Sequence, residues 1–402
     1  MELVCSDCGR TYPTDGPWRC DCGHPLEFAD RPVPDDGPPA TLDRDDGLWA
    51  FSDLLSVERR VSLGEGWTPL VEDDEWGVQF KLESIFPTGS FKDRGATTTI
   101  SRALGQGVDR VVEDSSGNAG LAIATYAARA GLDAEIFVPA DAKPGKLRAI
   151  ERTGATLRRI EGTRQDVTDA CIDAVESGVT GRSEGTPNER AGSARSHGEL
   201  ESSERGGTTR ESAATREPDV AYYASHAWDP AFFAGTATVA FEIAAQRGWS
   251  APDAFVTPLG HGTLFLGAYR GFHALQAAGW IDSMPRLLGA QAAGVAPIVE
   301  ALGGDPSPGT GERNDAADGI QIAEPARKAQ IVEAIEATGG DAVAVTAEAT
   351  DREHDRLARA GFHVEPTCAT ATSALDRFRD RGAIDDRDDV VVALTGSGLK
   401  TS

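Results

Sequence analysis

The sequence predicts an α/β fold of two parallel-sheet domains behind a small N-terminal extension, and three observations carry that prediction. Short apolar strands alternate with helix-length segments over 110–177 and again over 254–394, the order that covers both faces of a parallel sheet with helices. Small polar or glycine-bearing turns follow several strands and precede helices, at Ser115 to Gly120 and at Gly260 to Thr263, where open α/β sheets bind ligands. Four of the six cysteines fall within the first 30 residues and set that segment apart.

Residues 1–30 carry Cys5-Ser6-Asp7-Cys8 and Cys20-Asp21-Cys22, with Gly9 and Gly23 behind the two pairs. Two close thiol pairs read as tetrahedral zinc ligands of a zinc-ribbon-like module, Cys5, Cys8, Cys20 and Cys22, and four thiolates leave no open position for a substrate, so the role is structural. The second pair is one residue shorter than usual. Free thiols are therefore the alternative, and His24 is placed to replace one cysteine. Cys171 and Cys368 stand alone and read as core residues.

Residues 31–47, rich in Pro, Asp and Gly, read as a linker. A turn-rich run over 63–70 leads to an alternating strand over 78–83, and Pro87 to Gly95 then forms a strand-to-helix turn with Ser90 as the expected cap of a helix over 96–104. Strands over 110–114, 134–139 and 156–160 alternate with helices over 121–130, 145–153 and 164–177. They make a small α/β domain of residues 96–177. Residues 178–218 switch to Ser, Gly, Arg, Glu and Thr with almost no large apolar side chain, and read as a disordered insertion. The chain resumes with a helix over 235–247 and strands over 254–258, 286–292, 341–346 and 389–394. Residues 48–95 and 219–402 thus form the large domain.

At 402 residues the chain is long enough for two domains with ample core. Thirty-nine basic against 64 acidic residues give a net charge of −25 spread along the sequence, which argues against nucleic acid and anionic membranes as partners. A uniformly acidic chain with 33 arginines and six lysines fits adaptation to high salt, a halophilic setting. No signal-peptide pattern and no apolar run of membrane-spanning length is present, so a cytoplasmic location is expected.

Because lysine is scarce, Lys92 in its glycine-bearing turn is conspicuous. It is either a solvated surface residue or an amine kept for chemistry that arginine cannot perform. Four loops share the C-terminal end of a strand: Lys92, Asn118, Gly260 to Thr263, and Thr395. Pro-Thr-Gly-Ser-Phe-Lys-Asp-Arg-Gly at 87–95, Ser-Ser-Gly-Asn-Ala at 115–119 and Leu-Thr-Gly-Ser-Gly-Leu-Lys at 394–400 resemble the fold-type II pyridoxal 5′-phosphate enzymes, the tryptophan synthase β family, and within it the threonine synthases. The cysteine-bearing extension resembles that of archaeal threonine synthase-like proteins.

The resemblance implies two α/β domains with the cofactor between them, and often a homodimer. It implies that Lys92 forms the Schiff base with the cofactor aldehyde and then transfers protons. Asn118 would contact the cofactor's 3′-oxygen, Gly260, His261, Gly262 and Thr263 its phosphate, and Thr395 its ring nitrogen. Ser115, Ser116 and Gly117 would receive the carboxylate of an amino-acid substrate.

The expected reaction is that of threonine synthase, O-phospho-L-homoserine and water to L-threonine and phosphate. Better-known threonine synthases carry an Arg and a Lys where this chain has Phe233 and Ala237, so the cations for the substrate phosphate must come from elsewhere. Arg94, Lys143, Lys146 and His226 are the possible substitutes, the two lysines reading rather as solvated charges. Two alternatives stand beside this reading: a threonine or serine dehydratase or another β-replacing enzyme of the cysteate synthase type, and a non-catalytic zinc-stabilised binding protein.

Overall fold

A computed structural model describes residues 2–32, 34, 36–177, 221–309 and 311–400. The expected insertion over 178–218 lies outside the described residues.

The N-terminal module is a three-stranded antiparallel sheet of β1 (Glu2–Cys5), β2 (Thr11–Pro13) and β3 (Leu26–Phe28), with β1 in the middle. The stretch read as a linker ends earlier than expected, because Asp43 caps a 3₁₀ segment at Arg44–Leu54 whose Leu48, Trp49, Phe51 and Leu54 join the core.

The large sheet contains β4 (Leu70–Asp73), β5 (Val78–Lys81), β10 (Ala254–Pro258), β11 (Arg286–Ala292), β12 (Asp341–Val345) and β13 (Val390–Ala393), in the order β12-β11-β10-β13-β5-β4. All its pairings are parallel except the edge pair of β4 with β5. The small sheet is wholly parallel, with the order β8-β7-β6-β9 for β6 (Arg110–Glu113), β7 (Asp133–Pro139), β8 (Thr156–Ile160) and β9 (Tyr222–Tyr223). The chain therefore returns to the small sheet after residue 220 before entering the large domain.

Eleven α-helices are described: α1 (Lys92–Gly105), α2 (Asn118–Ala130), α3 (Pro144–Glu151), α4 (Arg164–Ser177), α5 (Pro230–Gln246), α6 (Thr263–Ala277), α7 (Pro297–Ala301), α8 (Lys328–Ala337), α9 (Ala347–Arg359), α10 (Pro366–Ser373) and α11 (Leu375–Asp380). The α1 helix starts at Lys92 itself, four residues before the expected start. Phe91 occupies its cap position, and the Ser90 hydroxyl is buried with no partner among the described residues, so Ser90 is not the cap.

Helix α5 is predominantly apolar, Glu242 apart, and buried along nearly all of its length, as a helix packed on every side must be. It lies between α1 and α6. A Cβ on Gly267 would fall 2.3 Å from the Thr236 hydroxyl, so the absence of a side chain there lets α6 close onto α5. The result brings the starts of α1 and α6 together.

A charge network pins α1 from behind. The Arg94 guanidinium donates through Nε and Nη2 to both Glu83 oxygens at 2.7 Å and through Nη1 and Nη2 to Glu242 at 2.6 and 2.8 Å, while Lys81 Nζ donates to Glu242 at 2.8 Å and to the Thr68 carbonyl at 2.7 Å. Two cations meet two carboxylates with all four side chains fully buried, so formal charge cancels.

Candidate active site

The lysine turn is held in place by the end of the chain. Phe91 N donates to the Thr395 carbonyl at 3.1 Å and Ser397 N to that of Gly89 at 2.8 Å, while Asp93 accepts from Thr88 N at 2.8 Å and from the Thr88 hydroxyl. Lys92 thus sits at the first turn of α1, on the wall of a cleft of about 380 Å³. Its Nζ donates to Thr263 Oγ1 at 3.0 Å and lies 4.6 and 5.6 Å from the ring centroids of Phe91 and Phe232. Burial brings the amine down to about 7 against the opposing pull of Glu113 and Glu365, so a large fraction is neutral near neutral pH.

The glycine turn lies opposite. Strand β10 ends at Pro258, Gly262 takes a left-handed conformation, and α6 begins at Thr263, which leaves amides of the first helical turn available to an anion. His261 lines the cleft, and its Nδ1 is buried without a partner among the described residues. Burial first, then Arg164 and Lys92, hold its imidazole at about 3, hence neutral.

Ser115, Ser116 and Gly117 line the cleft between β6 and α2. Asn118 is held on both sides. Its Nδ2 donates to Glu365 at 2.9 and 3.2 Å, and its Oδ1 accepts from Lys400 Nζ at 2.7 Å. Thr395 also lines the cleft, its hydroxyl 3.5 Å from the buried Cys368 sulfur. The structure therefore brings Lys92, Ser115, Ser116, Gly117, Asn118, His226, Gly260, His261, Gly262, Thr263 and Thr395 to one cavity.

Arg94 does not belong there. It is sealed in the network behind α1, so the expectation that it meets substrate is corrected. Phe233 and Ala237 are also buried outside the cleft, Phe233 beneath the guanidiniums of Arg270 and Arg327 at 4.5 and 4.3 Å. Lys143 and Lys146 pair with Asp318 at 3.0 and 3.1 Å, and Lys146 lines the cleft with Arg164 and Arg313.

Among the groups at the site that escaped the sequence reading are Glu113, Arg164, Arg313, Glu365 and Lys400. The signal for Glu113 was a carboxylate directly after the apolar Val111 and Val112 at the end of β6. Nothing local marked the others, which meet the site only through long-range packing.

The four sulfurs of Cys5, Cys8, Cys20 and Cys22 cluster away from the cleft, all within 4.8 Å of one another, with Cys5 to Cys22 and Cys8 to Cys20 at 3.5 Å. A tetrahedral zinc with bonds near 2.3 Å sets sulfurs about 3.8 Å apart, so the set fits such an ion. A larger cavity of about 930 Å³ lies between this module and the segment from Ala221 to Pro230, but it contains none of the lysine, glycine or asparagine loops.

A partly neutral lysine, a helix start with free amides and an orphaned imidazole nitrogen form a donor set suited to a phosphorylated aldehyde. The profile of the family described as pyridoxal-phosphate dependent enzyme matches residues 61–396. Threonine synthase of Methanocaldococcus jannaschii is 30% identical over all of this chain and 93% of its own length. Threonine synthase of Mycobacterium leprae is 31% identical over 87% of each chain. Among solved structures, maize serine racemase superposes with a TM-score of 0.62 at 19% identity over 82% of this chain and 88% of its own. A fungal L-serine ammonia-lyase from Rhizomucor miehei gives 0.59 at 19% identity over 82% and 93%. At such identities the superpositions speak for the fold, and the sequence matches carry the assignment: this chain belongs to the pyridoxal-phosphate dependent enzymes.

Proposed function

We propose that this enzyme is a threonine synthase, converting O-phospho-L-homoserine and water to L-threonine and phosphate. The observation that carries the reading is the set of cations in the cleft. Lys146, Arg164 and Arg313 line it together with Lys92, and a doubly charged substrate phosphate needs such partners. They supply the positive charge that positions 233 and 237, buried outside the cleft, do not. The relatives named threonine synthase support the same choice.

The residues have distinct roles. The amides at the start of α6 and the Gly260 to Thr263 turn would hold the cofactor phosphate, Thr395 would serve its ring nitrogen, and Asn118 its ring oxygen. When bound, the cofactor supplies the electron-accepting ring that acidifies the carbons next to the substrate nitrogen. Ser115, Ser116 and Gly117 receive the substrate carboxylate. Lys92, held near neutrality by burial, takes protons from the α and β carbons and gives them back at the α and γ carbons. Lys143 and Lys146 both pair with Asp318, which lines the cleft with Lys146, and closure of the small α/β domain would exclude bulk water until the addition step.

The cysteine cluster holds a structural zinc in this reading. No helix among the described residues is long and apolar enough to cross a membrane.

Holoenzyme incubated with O-phosphohomoserine, and separately with threonine and serine, at low and high salt tests the reaction. Threonine and phosphate in equal amounts are expected. Keto acid from threonine or serine, with no threonine formed from O-phosphohomoserine, would make the enzyme a dehydratase.

A further inference from the structure

Resting on the reaction just proposed, we infer that His226, oriented by Glu113, is a second catalytic acid–base group, one that serves the leaving phosphate and the incoming water while Lys92 serves the carbons.

Glu113 ends β6, a strand whose Val111 and Val112 are fully buried, and is itself fully buried. A carboxyl group in such a place is costly unless it is bonded. Both its oxygens are spent on one residue. Glu113 Oε1 meets His226 Nδ1 at 2.6 Å, and Oε2 accepts from the His226 backbone N at 3.3 Å. The backbone contact would fix the turn by itself, so the second, shorter contact to the ring needs a separate reason.

Fixing Nδ1 against Glu113 leaves Nε2 as the free nitrogen of the ring, with no hydrogen-bond partner among the described residues. His226 lines the cleft, its ring 5.0 Å from that of His261 and 6.0 Å from that of Phe232. Lys92 packs against the same Phe232 ring at 5.6 Å. The two proton-transferring groups therefore flank one aromatic platform.

The charges around the pair agree with this role. Burial, and then Asp114, push Glu113 well above the carboxylate range, while Arg164 and Lys92 pull the other way. Burial, then Lys92, His261 and Arg164, push His226 well below its usual value. Both shifts disfavour a charged pair, and with one proton on the Glu113–Nδ1 line the matching neutral tautomer carries the other on Nε2.

The steps balance. A Cβ proton passes to Lys92 and the C–H pair forms a Cβ–Cγ double bond as the Cγ–O bond to the phosphate breaks; the Cγ–O pair leaves on the oxygen, Nε2 gives that oxygen its proton and the Glu113 proton crosses to Nδ1. Lys92 returns its proton to Cγ, which becomes the methyl group, and takes the Cα proton, so that the double bond now joins Cα and Cβ. When water adds, its oxygen bonds to Cβ and its proton passes to Nε2, while the Nδ1 proton returns to Glu113. The electron pair of the substrate's Cα–Cβ double bond becomes a new C–H bond at Cα with the proton held by Lys92.

Holoenzyme variants His226→Asn and Glu113→Gln test this, with three readouts: borohydride-fixed cofactor on Lys92, exchange of the substrate Cα–H in heavy water followed by NMR, and threonine formation. The expected result is intact cofactor fixation, Cα–H exchange within about threefold of wild type, and kcat for threonine down by about 10²–10⁴-fold with KM little changed. A merely structural role predicts that exchange falls in step with threonine formation, and that result would overturn the assignment, as would a kcat within about threefold of wild type. If wild-type protein instead eliminates ammonia from serine or threonine and releases no phosphate, the substrate reading fails on its own. The same variants measured on that elimination then decide the pair, which falls if their rates are unchanged.

Discussion

Lys92 Nζ donates to Thr263 Oγ1 at 3.0 Å, joining the first residue of α1 to the first residue of α6. Two helix starts from distant parts of the chain thereby face one point, the amine from one side and the first-turn amides of α6 from the other. The neutral amine is the nucleophile toward an aldehyde, and burial sets it at about 7. Covalent cofactor uptake by apoprotein is therefore expected to speed up as pH rises through about 7 and to level off above it. Stopped-flow absorbance checks this, and a rise delayed to the range of a free lysine, near 10, would contradict it.

Gly95, one turn into α1, has no room for a side chain: a Cβ there would fall 2.3 Å from the Phe232 ring, which is fully buried. Gly95→Ala is expected to destabilise the fold by about 1–3 kcal/mol and to weaken cofactor retention, since the displaced ring also supports Lys92 and His226. Urea unfolding and cofactor dialysis measure the two effects.

Removing Glu242 leaves Arg94 and Lys81 partly uncompensated in the core, and Glu242→Gln is expected to cost about 3–5 kcal/mol at neutral pH. Burial alone would raise the Glu242 carboxyl, but Arg94 and Lys81 outweigh it and hold it at about 2, below its ordinary 4.5. A depressed carboxylate stabilises the fold fully above its unfolded value and loses that contribution as pH falls through the folded one. The gap between wild type and variant should therefore be full above about pH 4.5 and shrink toward pH 2, as followed by denaturant titration at each pH.

Arg164 reaches the cleft while Asp114 holds its guanidinium at 3.2 Å. Arg164→Gln is expected to raise KM for O-phosphohomoserine by about 10–100-fold, the range of a charge-assisted contact, with a smaller change in kcat. Steady-state phosphate release reads this directly.

The cysteine cluster predicts one zinc per chain by elemental analysis. Cys8→Ser should lower zinc content and the thermal midpoint while leaving the absorbance of bound cofactor intact, because the sulfurs lie outside the cleft.

Much of this was legible from local pattern. The strand over 286–292 and the helix over 164–177 begin and end where periodicity placed them, and the glycine turns at 260–263 and 115–117 fall at strand ends as expected. The start of α1 was not legible, because its N-terminal turn is held by Thr395 and Ser397 from the far end of the chain and not by a local cap. Arg94 misled for a similar reason: its fate depends on Glu242, 148 residues away. Glu113 could be seen as an oddity in its strand, but its partner His226 comes to it only when β9 adds beside β6. Local chemistry marked the cofactor loops, whereas the charged groups around them are set by topology.

The central claim is that Lys92 carries the cofactor, and one measurement tests it most directly. Holoenzyme is reduced with borohydride and digested, and the pyridoxyl group is located by mass spectrometry. The account predicts a single adduct on the peptide containing Lys92 and none in Lys92→Ala. An adduct on another of the six lysines, or no adduct in protein that binds the cofactor, would contradict it.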